Sequence, residues 1–211
     1  MENNVFPKLI YEMTPLEIPN EKINEARKIF KQHEPRDVFY RAATVLVELA
    51  LNGKIPLSPA ESIAVLLQTW NKAYYQFRKF DARHYCDIES LLDKHLRPLK
   101  DYRNSTIDRL NGNDEYIIKD IFKDFEIVLG PVGAAKSLHL IAPSIFPLWD
   151  RAIAKEYKTS LKKIGTNADN YLKFMQVTKQ QYTLLRKQDN ADNLLKAIDE
   201  YNYCKYTKKW I

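Results

Sequence analysis

Apolar residues recur along this chain at three- and four-residue spacing from about residue 20 onward, the period of helices with one buried face. Over 21–32, Ile23, Ala26, Ile29 and Phe30 share one side of a helix. Over 37–51, Phe39, Ala42, Ala43, Val45, Leu46, Leu49 and Ala50 are apolar nearly all round, which predicts a central buried helix ended by Asn52-Gly53. Ser58, Pro59 and Glu61 spell a capping box for a helix running to about Tyr75, with Ile63, Leu66, Leu67 and Trp70 inward. A helix over 87–96 is predicted to stop at Arg97-Pro98, and Ser105 to cap a short one to Leu110. The run 114–128 carries Ile117, Ile118, Ile121, Phe122, Phe125 and Val128 as a buried stripe. Helical patterns follow at about 151–158, 168–187 and 190–201, and a basic aromatic tail closes the chain.

The resulting expectation is an all-α, multi-helix body over 20–211, with a division into two lobes near 112 left open. It is preceded by an extended arm over 1–19 that holds three prolines and little periodicity. A length of 211 residues, 45% hydrophobic and 12% aromatic, is enough for a real core. No apolar run is long enough to cross a membrane and no signal peptide is visible at the start, so the expected place is the cytoplasm. Cys86 and Cys204 make neither a disulfide framework nor a metal spacing, and His33, His84 and His95 are isolated, so no metal site is predicted.

The net charge of +6 is uneven. Residues 1–135 carry 19 Lys/Arg against 20 Asp/Glu, whereas 136–211 carry 14 against 7. A basic third on a neutral body fits a face for a polyanion, or a basic solvated surface. Around 69–85, aromatics alternate with Lys72, Arg78, Lys79 and Arg83. Rings that stack on bases and cations that hold phosphates would suit nucleic acid, while Trp70, Tyr74 and Phe77 at helical spacing also read as core.

The stretch 129–150, LGPVGAAKSLHLIAPSIFPLWD, concentrates the candidate chemistry. Gly130 and Gly133 are two of only five glycines and lie between two helical patterns. Three readings follow from these residues. In the first, Gly-Pro-Val-Gly is a plain helix-to-helix turn, Lys136 is a surface lysine and Asp150 caps the helix that starts at Arg151. In the second, the turn is a helix-hairpin-helix in which Gly130, Val132, Gly133 and Ala134 meet a DNA phosphate. Backbone N–H groups and the following helix N-terminus would favour the anion without reading sequence. The third adds catalysis.

That third reading rests on a resemblance. A glycine hairpin, a helix and a Pro-hydrophobic-Asp link opening another helix resemble the helix-hairpin-helix DNA glycosylases, the endonuclease III and 8-oxoguanine glycosylase superfamily. The resemblance covers roughly 114–157. In that family the hairpin reads Leu-Pro-Gly-Val-Gly, a nearby lysine attacks the sugar in bifunctional members, and an aspartate after the later proline is the catalytic carboxylate. Val132, Gly133, Pro147 and Asp150 match those positions, and Lys136 is the only nearby lysine. Pro131 stands where the family has its first glycine, and Lys136 lies one residue past the family's lysine. The resemblance implies Asp150 and Lys136 as catalytic residues, and a base pocket for which Trp70, Tyr74 and His139 are candidates. It implies DNA as partner, bound through its phosphates, and no cofactor, since two cysteines are too few for the iron–sulfur cluster of some relatives. A non-catalytic DNA-binding or protein-interaction module is the alternative. The lesion, the presence of lyase activity and the oligomeric state stay open.

Overall fold

The computed structural model describes residues 17–187 and 193–211, and among these there are helices and no strand. The predicted arm lies mostly outside the described residues; only 17–19 are seen, and Ile18 there is buried. The elements are α1 (Asn20–His33), α2 (Asp37–Leu51), α3 (Pro59–Trp70), α4 (Lys72–Tyr75), α5 (Ala82–Arg103), α6 (Gly112–Ile141), α7 (Arg151–Glu156), α8 (Ala168–Arg186) and α9 (Leu194–Asn202). A 3-10 turn (Ile107–Arg109) precedes α6, and a π-helical turn (Tyr203–Lys208) ends the chain's helical part. None of the described helices is long and apolar enough to cross a membrane.

The core is one cluster of buried side chains running from Ile18 to Cys204. An aromatic part of it joins α6 to α8: Phe122 stacks on Tyr171 at 4.0 Å between ring centres, and Trp149 meets Tyr171 at 5.4 Å. The polar tips of these rings are satisfied. Tyr171 Oη donates to the Pro147 carbonyl at 2.9 Å, and Trp149 Nε1 donates to Thr159 Oγ1 at 3.3 Å. These bonds fix the link 142–150 that delivers Asp150 to the start of α7.

Local signals explain most element starts. The Ser58–Glu61 capping box forms in both directions, with Glu61 N donating to Ser58 Oγ at 3.1 Å and Ser58 N to Glu61 Oε2 at 2.6 Å. Asn111 and Asp114 make a second such box at α6.

Four expectations are corrected. First, α2 is not buried all round: Val38, Phe39 and Val45 are exposed, and only Tyr40, Ala43, Val47 and Ala50 face inward. One stripe is all that its neighbours α3 and α6 can cover. Second, Pro98 does not end α5, which continues to Arg103. Leu91, Leu92 and His95 before it and Leu99 and Tyr102 after it form one buried face, and that burial outweighs a proline cost of roughly 3 kcal/mol. Third, the helix expected to reach Tyr75 breaks at Asn71. Fourth, the short helix expected after Ser105 is only the 3-10 turn. The stripe of α6 is otherwise as the spacing predicts, except that Ile117 is exposed.

Candidate functional site

Segments far apart in sequence enclose a cavity of about 110 Å³. The α1–α2 link contributes Glu34 and Arg36, the start of α2 Asp37, the end of α3 Trp70, and α6 Lys136. The link to α7 contributes Leu148 through Asp150, α9 contributes Asp199, and the terminal turn contributes Tyr203. Lys136 and Asp150, singled out in sequence, therefore line one cavity, and Trp70 joins them.

Lys136 extends from the half of α6 that follows its break. Its Nζ donates to the Trp70 carbonyl at 2.7 Å and lies 4.7 Å from the centre of the Trp70 ring. It forms no ion pair among the described residues. Burial pushes its ammonium down to about 8, against the pull of Asp150 and Asp199 and with a further push from Arg36. An amine that titrates there is a usable nucleophile near neutral pH.

Asp150 uses both carboxylate oxygens. Oδ1 accepts from Ile153 N at 2.8 Å, capping α7, and Oδ2 accepts from Thr207 Oγ1 at 2.7 Å. The carboxylate is thus held in place by the helix it starts and by the C-terminal turn. That turn and the residue after it carry Lys205, Lys208 and Lys209, all exposed, so exposed cations flank the residue that touches Asp150. The tail packs on the body: the Trp210 ring meets His33 at 5.5 Å and Tyr203 at 6.0 Å.

The opposite wall is built of ion pairs. Glu34 accepts from Arg36 Nε and Nη2 at 2.8 and 2.9 Å and from the Tyr203 hydroxyl. The Arg36 bonds pull its carboxyl down to about 2 despite burial, and Tyr203 adds to that pull. Below this wall Lys196 is buried, 4.3 Å from the Phe30 ring centre and 4.9 Å from that of Tyr40. Its Nζ is 3.2 Å from Glu200, 3.5 Å from Asp199 and 3.8 Å from Asp37. Burial works against its charge, and these carboxylates outweigh burial and hold the ammonium above its ordinary value.

The remaining sequence candidates lie elsewhere. His139 is wholly buried beneath the cavity: Nδ1 is 2.7 Å from the Phe146 carbonyl and Nε2 3.0 Å from the Tyr40 hydroxyl. A carbonyl only accepts, so Nδ1 carries the proton and Nε2 accepts from Tyr40. Burial pushes the imidazole down to about 4, with Lys196 adding to the push against the Phe146 bond. This neutral histidine pins the link to α6 and α2. Tyr74 does not line the cavity either. Its ring covers Gly130, its hydroxyl donates to the Val128 carbonyl at 3.3 Å, and Arg78 donates to it at 2.8 Å.

The glycine turn is shorter than the sequence suggests. α6 breaks at Gly130 alone, with φ 70° and ψ 165°, and Pro131 and Val132 are already helical. That conformation is open essentially to glycine only, and a Cβ there would sit 2.8 Å from the Tyr74 ring. Gly133 is an interior helical residue packed beneath the Asn71 amide, 3.0 Å from where its Cβ would be. Gly130, Gly133 and Ala134 are buried and Val132 is half-buried. The Cβ sides of the two glycines are occupied by Tyr74 and Asn71.

Asp199, Lys196, Arg36 and Thr207 were not singled out from sequence. One signal was available for Asp199, which stands four residues after Leu195 and next to Ile198, an acid on the apolar face of α9. Compared with family models, curated proteins and solved structures, the chain matches none.

Proposed function

We propose that this chain is a DNA-processing enzyme of the helix-hairpin-helix glycosylase type, cleaving the N-glycosidic bond of a damaged base with Lys136 as nucleophile and Asp150 as fixed anion. The observation that carries the reading is a lysine amine held down to about 8 in the same aromatic-walled cavity as a positioned aspartate. Trp70 offers a flipped base an aromatic face, and Asp150 offers developing positive charge at the sugar a carboxylate whose position is fixed at two points. Lys205, Lys208 and Lys209 beside the site supply cations for phosphates; such contact would make affinity fall steeply with salt.

The test is release of base from duplex oligonucleotides each bearing one oxidised, alkylated or deaminated base, with borohydride present in parallel. The expected result is a trapped protein–DNA adduct that disappears in Lys136→Gln. A non-catalytic DNA-binding module is the second reading, favoured by the engagement of both Asp150 oxygens and by the buried glycines. Salt-sensitive binding with neither release nor adduct on any substrate would leave that module. No binding at low salt would overturn both.

A further inference from the structure

The geometry points to Asp199 as the proton-transfer residue of this cavity, paired with Asp150 as its fixed anion; the assignment rests on the reading of Lys136 as the nucleophile. The two carboxylates differ in how their oxygens are committed. Asp150 is tied to the Ile153 amide and the Thr207 hydroxyl. Asp199 comes from the far wall on α9, is buried, and has as its ion-pair partner Lys196 at 3.5 Å. Two neighbouring carboxyls in unlike environments divide the roles of stabilising charge and moving a proton.

The groups facing Asp199 come from several elements. Those that act on its charge are Lys196 and Glu200 on α9, Asp150 ahead of α7, Lys136 on α6 and Tyr40 on α2, together with Tyr157 and Cys204. Burial pushes the carboxyl up to about 6; Lys196 opposes the rise, and Glu200 and Asp150 add to it. The acid and the carboxylate are then both populated near neutral pH, as proton transfer requires. Lys196 keeps the charge that Asp199 needs when it is ionised.

The step balances. The neutral Lys136 amine attacks the sugar C1′ and forms the C–N bond. The bond from C1′ to the base nitrogen breaks, its electron pair leaving with the base. The Asp199 carboxyl gives its proton to that base nitrogen. The new aminium at Lys136 then returns a proton to the Asp199 carboxylate. No oxidant, reductant or metal is consumed.

Imine formation between Lys136 and acetaldehyde tests this without DNA. The imine is trapped by cyanoborohydride and counted by peptide mass at Lys136, because the same carboxyl would protonate the hydroxyl that leaves as water. The wild-type rate should peak between about 6 and about 8, bounded by the Asp199 acid and the Lys136 amine. In Asp199→Asn the alkaline fall should vanish, leaving a rate that only climbs with pH and is lower by roughly 100-fold at neutrality. Asp199→Glu should restore the peak. Glu200→Gln, which removes a charge that holds Asp199 up, should move the acid-side break, and with it the peak, to lower pH and lower the peak rate, and keeps the test usable if the Asn variant does not fold. A peak unchanged in Asp199→Asn, or in Glu200→Gln where Asn fails to fold, overturns the assignment. Base release from DNA with that unchanged peak would sink Asp199 alone. The wild-type peak and its loss in Asp199→Asn, without base release, would sink the nucleic-acid substrate and leave Asp199 standing.

Discussion

Lys136 and Lys196 occupy neighbouring regions of one site and have been treated in opposite ways. Each ammonium lies over aromatic rings, Trp70 for the first, Phe30 and Tyr40 for the second. Lys196 has three carboxylates within 4 Å and is held charged; Lys136 has a carbonyl oxygen for its partner and is pushed down to about 8. Burial and a ring face are common to both, so neither decides the charge. The decisive difference is carboxylates in contact against carboxylates kept at a distance. A wall of matched ions is a structural device, whereas an amine left short of counter-charge is a cost to the fold that chemistry can use.

The largest break in this comparison is Lys196→Met. Removing one partner leaves Asp199 buried without its counter-ion, and about 3–5 kcal/mol of stability should be lost in urea unfolding at pH 7. A loss below about 1 kcal/mol would mean that the carboxylates around Lys196 are hydrated and not held by it. Lys136→Met should act in the other direction, with a gain of about 3 kcal/mol at pH 7 from relief of a buried, under-compensated charge. The wild-type penalty exists while the amine is protonated in the folded state. The gain should therefore shrink as pH rises from about 8 toward the ordinary lysine value of 10.5, where the unfolded chain also loses its proton. A gain that ignores pH would belong to packing alone.

A third measurement separates the two regions by acid. His139, lowered to about 4, is neutral in the fold, so its contribution is present above 6.5 and is lost as pH falls through 6.5 toward 4. Asp199, raised to about 6, works oppositely: below 6 the folded state holds a proton that the unfolded chain does not hold until near 3.8, so acid adds stability there. The two offset. Asp199→Asn removes the second effect, and its stability should decline more steeply between pH 6 and 4, by about 2 kcal/mol across that interval. Parallel curves for the two proteins would refute the opposed titrations.

The parts of this molecule that were legible in sequence are those fixed by local chemistry. The capping box at Ser58, the inward stripe of α6 and the cap at Asp150 each depend on residues within one or two turns. What was not legible depends on distant partners. Nothing beside Pro98 indicates that its helix will continue, because the burial that carries it through comes from other elements. The apolar circumference of α2 does not say which stripe α3 and α6 will cover. The break at Gly130 was marked by glycine, but its length is set by Tyr74 and Asn71, more than fifty residues earlier. Within the cavity, Lys136, Asp150 and Trp70 were marked, and Asp199 was hidden among apolar neighbours on α9.

The finest test concerns the carboxylate that shares the cavity with Lys136. Asp150 serves the fold through Oδ1, which caps α7, and is tied to the terminal turn through Oδ2 and Thr207. If these are separable duties, Thr207→Val should remove one and spare the other. The expected cost is about 1 kcal/mol, that of one hydrogen bond to a partly buried carboxylate whose freed oxygen faces the cavity and water. Amide hydrogen exchange should quicken through Tyr203–Lys208, which lose their tie to the body, while the Ile153 amide keeps its protection. Equal loss of protection at Ile153 would show that the cap depends on Thr207 and that Asp150 has no oxygen to spare for a substrate. Unchanged exchange in the terminal turn would show that its other ties, the packing of Trp210 against His33 and Tyr203 and the Tyr203–Glu34 bond, suffice to hold it. The bond to Asp150 would then be free to exchange for one to a bound sugar at little cost to the fold.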